Sequence, residues 1–159
     1  MNLTELFNTR IFRIPDYQRD YVWEEKQLLE LWDDLDKIQL VGEGFKKHYT
    51  GTIFLEETIP MEAEKWLHGV KFYNVVDGQQ RLTTICILLF EMIKGTENGF
   101  KEKTKDKILK TFICKPNSSG NSKIYKFCYN PKGNNYNFLL HAIFEDTNVV
   151  LNQEHLNPC

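Results

Sequence analysis

Apolar residues Leu28, Leu31, Trp32, Leu35 and Ile38 recur at three- and four-residue steps between Glu24 and about Val41. Acidic residues open that stretch and Gly42 and Gly44 close it, so the spacing predicts an amphipathic helix. A different period appears in "VKFYNVV", a short apolar run that predicts a central strand, followed from about Gln79 to Lys94 by Leu82, Ile85, Leu89 and Met92 on one helical face. Gly95 stops that second helix. "RIFRIP" predicts a strand ending at Pro15, because the residue before a proline is pushed to extended geometry. "TGTIFLE" predicts another strand, and "KIYKFCY" alternates like one. "NLTELF" predicts a short helix with Thr4 as its cap, "TKDKILKTFI" a further helix and "NNYNFLLHAIF" a closing one. "DYQRDYVW", "PMEAEKWLHG" and "NSSGNS" are connections.

Strands that alternate with helices predict an α/β unit over residues 1–95. Residues 96–159 are expected to form an appended, mainly helical section, the start of a larger region. The chain has 159 residues, 42% of them hydrophobic and 26% charged, which suits an ordinary globular domain with a real core. No apolar run is long enough to span a bilayer and no basic-then-apolar leader opens the chain, so the expected location is the cytoplasm, with no membrane partner. Cys86, Cys114, Cys128 and Cys159 are scattered without metal-ligand spacing, which argues against a zinc site or a disulfide framework.

Charge is uneven. Nine lysines against Glu102 and Asp106 fill residues 101–132, whereas the first hundred residues hold 11 basic and 17 acidic side chains. A lysine-rich segment can meet nucleic acid; the absence of arginine from it favours a solvated helix face and loop.

The chemistry concentrates where the central strand ends. In "YNVVDGQQRLTT", a strand, a tight glycine turn and a helix follow one another, an order that aims free backbone N–H groups and the positive helix end at an anion. Gly78 permits close approach, Arg81 can fork two hydrogen bonds onto phosphate oxygens, and Gln79 and Gln80 can donate to oxyanions or orient a water. Asp77 suits a divalent metal or a general base. The same residues also fit a plain turn, with Asp77 capping the helix and Arg81 paired to a surface carboxylate. "IPDYQRDYVW" adds a second loop with Tyr17, Gln18 and Arg19, in which an aromatic ring can stack a base or ribose and the arginine can reach a phosphate. Tyr21 and Trp23 serve equally as packing for that loop. His48, just ahead of the second strand, either faces the pocket or is an ordinary hydrogen-bonding residue. Neither common glycine-rich nucleotide fingerprint is present.

Taken together, "IPDYQRDYVW", "HYTGTIFL" and "YNVVDGQQRLTTI", in that order, resemble the Asp-Gly-Gln-Gln-Arg family, which includes the N-terminal part of GmrSD-type modification-dependent restriction enzymes. The resemblance covers roughly residues 3–95 in three motif blocks, and loosely the remainder. It implies a ParB/sulfiredoxin-like fold, a small mixed sheet flanked by helices, and binding and hydrolysis of a nucleoside triphosphate; the divalent cation that Asp77 suits by its own chemistry is then Mg2+ or Mn2+. Carried onto this chain, it makes Asp77, Gly78, Gln79, Gln80 and Arg81 the motif, with Gln18 and Arg19 as pocket partners. Family members often add a C-terminal HNH-type nuclease domain and act against phage DNA. His141 and His155 lack neighbouring ligands, so DNA cleavage is expected from a nuclease in cis beyond this chain, or in trans. The competing reading is a ParB-like module that binds or cuts DNA without nucleotide chemistry, through the lysines of residues 101–110.

Overall fold

The computed structural model describes residues 2–145 except 39, 42–43, 46–48, 61–63, 66, 96–99, 117–122, 130–134 and 136–137. Its elements run α1 (Leu3–Phe7), β1 (Arg10–Ile14), α2 (Glu25–Asp36), β2 (Leu40–Val41), β3 (Gly44–Phe45), β4 (Phe54–Thr58), β5 (Lys71–Asp77), α3 (Gln79–Gly95) and α4 (Glu102–Ile108). A π-helical turn, α5 (Leu109–Ile113), then leads to β6 (Cys114–Pro116), β7 (Lys123–Tyr125) and β8 (Phe127–Tyr129), and a second one, α6 (Phe138–Ile143), closes the fold. The fold is thus mixed α+β, as the alternating pattern predicts.

One four-stranded sheet organises it, in the order β4-β5-β1-β8. β1 lies parallel to both β5 and β8, while β4 runs antiparallel to β5 at the edge. Parallel strands are covered on both faces and need continuous apolar runs. β1 supplies Ile11, Phe12 and Ile14 and β5 supplies Phe72 and Val75, all buried. α3 lays Leu82 and Cys86 against this sheet, and α5 and α6 bring Ile113 and Leu140 to the same core. The ring of Phe7 meets Phe12 edge-on at 5.0 Å, and Tyr125 stacks on Phe144 at 5.5 Å. Sheet and core therefore run across residue 95, since β8 pairs with β1. Among the described residues, no helix is long and apolar enough to cross a membrane.

Several local expectations are corrected. Asn2, not Thr4, caps α1: its side chain accepts from the Glu5 N–H at 2.9 Å and Glu5 accepts in return from the Asn2 N–H at 3.0 Å. That reciprocal pair satisfies two helix-end donors, which a threonine already inside the first turn cannot do. α2 stops at Asp36, short of Val41. On it Leu31 is buried, yet Leu28 is 40% and Trp32 58% exposed. Periodicity marks the face a helix could bury, not whether another element covers it. "KIYKFCY" is two strands, not one: β7 pairs with β6 and β8 with β1, and the chain changes sheets at Lys126. The Lys126 side chain turns inward, only 2% exposed, and donates to the carbonyls of Phe7 at 2.7 Å and Asn8 at 3.1 Å, closing the end of α1.

Candidate functional site

Because β1, β5 and β8 are parallel, their carboxyl ends share one edge of the sheet, where ligands bind in open parallel sheets. Three segments leave or reach that edge. Residues 15–24 follow β1, the turn at 77–78 carries β5 into α3, and residues 49–53 lead into the antiparallel β4, whose Phe54 pairs with Asp77.

The turn is built on Gly78, which sits at φ +90°. A Cβ there would lie 3.0 Å from Ile53 Cγ1, so both backbone and neighbour call for glycine. Asp77 is exposed and its Oδ1 accepts from the Gly78 N–H at 2.8 Å. The first bond of α3 runs from the Leu82 N–H to the Gly78 carbonyl at 3.0 Å. The N–H groups of Gln79, Gln80 and Arg81 thus belong to the turn of a helix that has no internal acceptors for them, at its positive end.

The two glutamines are buried, at 4% and 7% exposure, and they reach away from the turn toward residues 15–24. Gln79 Nε2 donates to the Arg19 carbonyl at 2.8 Å and to the Tyr129 hydroxyl at 3.3 Å. The Gln80 amide is a two-point clasp, donating to the Asp20 carbonyl at 2.8 Å and accepting from the Val22 N–H at 2.8 Å. Gln18 returns the link, its Nε2 donating to the Val76 carbonyl at 2.8 Å. Tyr21 shares a 2.8 Å hydrogen bond with Thr84, and Asp20 is bonded to the Asn135 amide. Side chains of α3 therefore hold the loop's backbone in place. Sequence reading placed these amides at the site and missed what they grip, because an amide suits an oxyanion and a peptide carbonyl equally.

Arg81 turns the other way. Its Nη1 points at the Thr52 carbonyl, 3.4 Å distant, with the guanidinium lying against Gly51. Arg19 is exposed on the loop. Among the described residues neither arginine has a carboxylate partner within salt-bridge distance, so the surface ion pair allowed for Arg81 does not form with any of them. Tyr17 is 69% exposed beside Gln18. His48 lies outside the described residues. Gly51, Thr52 and Thr84 lie inside the quoted motif blocks, yet neither they nor Tyr129 were singled out as site residues by sequence reading.

Among the described residues no three His, Cys, Asp or Glu side chains cluster as a metal cage. Mg2+ bound to a nucleotide does not require one, since a single carboxylate with phosphate oxygens and water suffices, and exposed Asp77 fits that role.

No curated protein matches the chain. Residues 3–157 match the family model described as GmrSD restriction endonuclease, N-terminal domain, and the chain belongs to that family.

Proposed function

We propose that this domain binds a nucleoside triphosphate at the carboxyl edge of its parallel strands and hydrolyses it, as the regulatory part of a restriction system. The observation that carries the reading is the convergence of the residue 15–24 loop on the start of α3, fastened by Gln18, Gln79 and Gln80, with no acidic partner for Arg19 or Arg81 among the described residues. Two arginines carried on segments that meet at a positive helix end suit an anion of several charges.

In this reading the N–H groups of Gln79–Arg81 and the two guanidinium groups take the phosphate oxygens, where charge builds as the terminal phosphoryl group departs. Asp77 accepts a proton from the attacking water, whose oxygen bonds to the terminal phosphorus as the anhydride bond breaks, releasing a nucleoside diphosphate and inorganic phosphate. Alternatively, Asp77 would hold a divalent cation, which would supply charge neutralisation at the phosphates. With their amides engaged by the loop, Gln79 and Gln80 act by holding the backbone of residues 19–22 in place; Gln18 and Tyr17 border the nucleoside side. The family's description, the N-terminal domain of a restriction endonuclease, supports a role in restriction. DNA cleavage then falls to a nuclease domain in cis or in trans, under control of the nucleotide state.

The test compares two variants by nucleotide titration and phosphate release. Arg81→Ala is expected to weaken binding by about 10- to 100-fold, the worth of a charge-assisted contact. Asp77→Ala is expected to spare binding while turnover falls. Unchanged binding and turnover in both variants would end the assignment.

A further inference from the structure

Between residues 49 and 53 the chain forms a strap across the start of α3. Gly51 faces the Arg81 guanidinium, Thr52 offers its carbonyl to Arg81 Nη1 at 3.4 Å, and Ile53 packs beside Gly78. Within the strap the Tyr49 hydroxyl lies 2.6 Å from Thr52 Oγ1 and ties its two ends together. We infer that Gly51 is a positioning residue for Arg81, a flat seat that sets the direction of the guanidinium at the anion site; the inference rests on the triphosphate-binding reading.

Geometry argues it in two steps. A Cβ on Gly51 would lie 2.7 Å from Arg81 Nη2 and 2.8 Å from both Cζ and Nη1. Near-equal separations from the three atoms of a planar fork put that methyl over the face of the fork, not at its rim. Arg81 therefore lies face-down on the Gly51 backbone. Contacts so close are not tolerated, and the guanidinium would have to lift by roughly 0.7 Å or more to reach ordinary van der Waals separation. A guanidinium has five donors around its rim, so a face-down seat spends only one of them on Thr52 and leaves the others to a phosphate. Second, Gly51 sits at φ +100°, which a Cβ also disfavours. Backbone and side-chain requirements coincide at one residue, and the experiment must separate them.

The probe is inorganic tripolyphosphate, titrated calorimetrically, with thermal melting alongside. Gly51→Ala carries both the backbone penalty and the methyl. Gly51→Asn adds a Cβ with a side chain that tolerates positive φ, and is the variant read if Gly51→Ala does not fold. Each is made in the native background and with Arg81→Lys, whose slender ammonium has no face to lift. In the native background, either substitution is expected to weaken tripolyphosphate about 10-fold, as sub-ångström displacements of a positioning group do. With Arg81→Lys the further loss is expected to be less than twofold, while the fall in melting temperature is the same in both backgrounds. Native affinity in the Gly51 variants, or an equal loss in both backgrounds, would overturn the seat. If Arg81→Ala itself left tripolyphosphate binding intact, the failure would belong to the anion site and not to Gly51.

Discussion

Replacing Gln80 by alanine separates a bracing glutamine from a catalytic one. The amide of Gln80 makes two 2.8 Å bonds to the loop, to the Asp20 carbonyl and from the Val22 N–H. Each is worth about 1 kcal/mol net in a folded protein, and the loop groups left behind sit partly buried, so the loss is expected near 2 kcal/mol. The gain in helix propensity from alanine returns only a few tenths of that. For a chain of this size the melting temperature should fall by roughly 4–8 °C. The local signature is sharper. The Val22 amide loses its acceptor, and its hydrogen exchange should accelerate about 30-fold, the equivalent of 2 kcal/mol. Gln80→Glu keeps an acceptor for Val22 but sets a carboxylate oxygen against the Asp20 carbonyl, so it should cost at least as much as alanine. Exchange measured residue by residue, with phosphate release on the same samples, reads both properties. If Val22 stayed protected while turnover vanished, Gln80 would be acting on the reaction itself, and the bracing argument would be wrong.

Two further outcomes follow from buried charges. Burial, with a smaller push from Lys115, lowers the Lys126 pKa to about 8 from 10.5. The unfolded chain holds that proton more tightly, so Lys126 makes stability rise with pH between about 8 and 10.5, by on the order of 3 kcal/mol. A neutral amine still has two N–H groups for the Phe7 and Asn8 carbonyls, and a Lys126→Met variant should lose this rise in denaturant titrations across that pH range; identical profiles would refute it. Arg13 reaches from β1 to Glu64 in an ion pair whose side chains are 12% and 7% exposed. Glu64→Ala should cost about 3–5 kcal/mol in chemical denaturation by stranding the guanidinium, and Arg13→Met with Glu64→Leu should recover most of it. A cost below about 1 kcal/mol for the single variant would show that the pair is not truly desolvated.

How much of this was legible in the chain depends on the range of the interaction. α3 spans Gln79–Gly95, within a residue of what Leu82, Ile85, Leu89 and Met92 indicate, because its own spacing and the flanking glycines define it. β1 ends at Ile14 because Pro15 dictates the backbone before it. Lys126 shows the opposite case. Alternation in "KIYKFCY" is real, but whether the chain stays in one sheet or switches depends on β1 and β6, which are distant in sequence. The stripe on α2 likewise says nothing about what lies opposite Leu28 and Trp32. At the candidate site the turn, Gly78 and the two arginines were visible as residue types with fitting chemistry. The grip of Gln79 and Gln80 on residues 19–22 was not, since it requires knowing that β1 and β5 lie side by side. Gly51 was hidden for the same reason, its partner being 30 residues away.

The most direct measurement is a crystal structure of the protein with a non-hydrolysable nucleoside triphosphate. The account predicts phosphate oxygens within hydrogen-bond reach of the Gly78–Arg81 backbone, with the Arg81 guanidinium still flat on Gly51 and Arg19 closing from the loop. A triphosphate bound elsewhere, with the start of α3 facing only water, would contradict it.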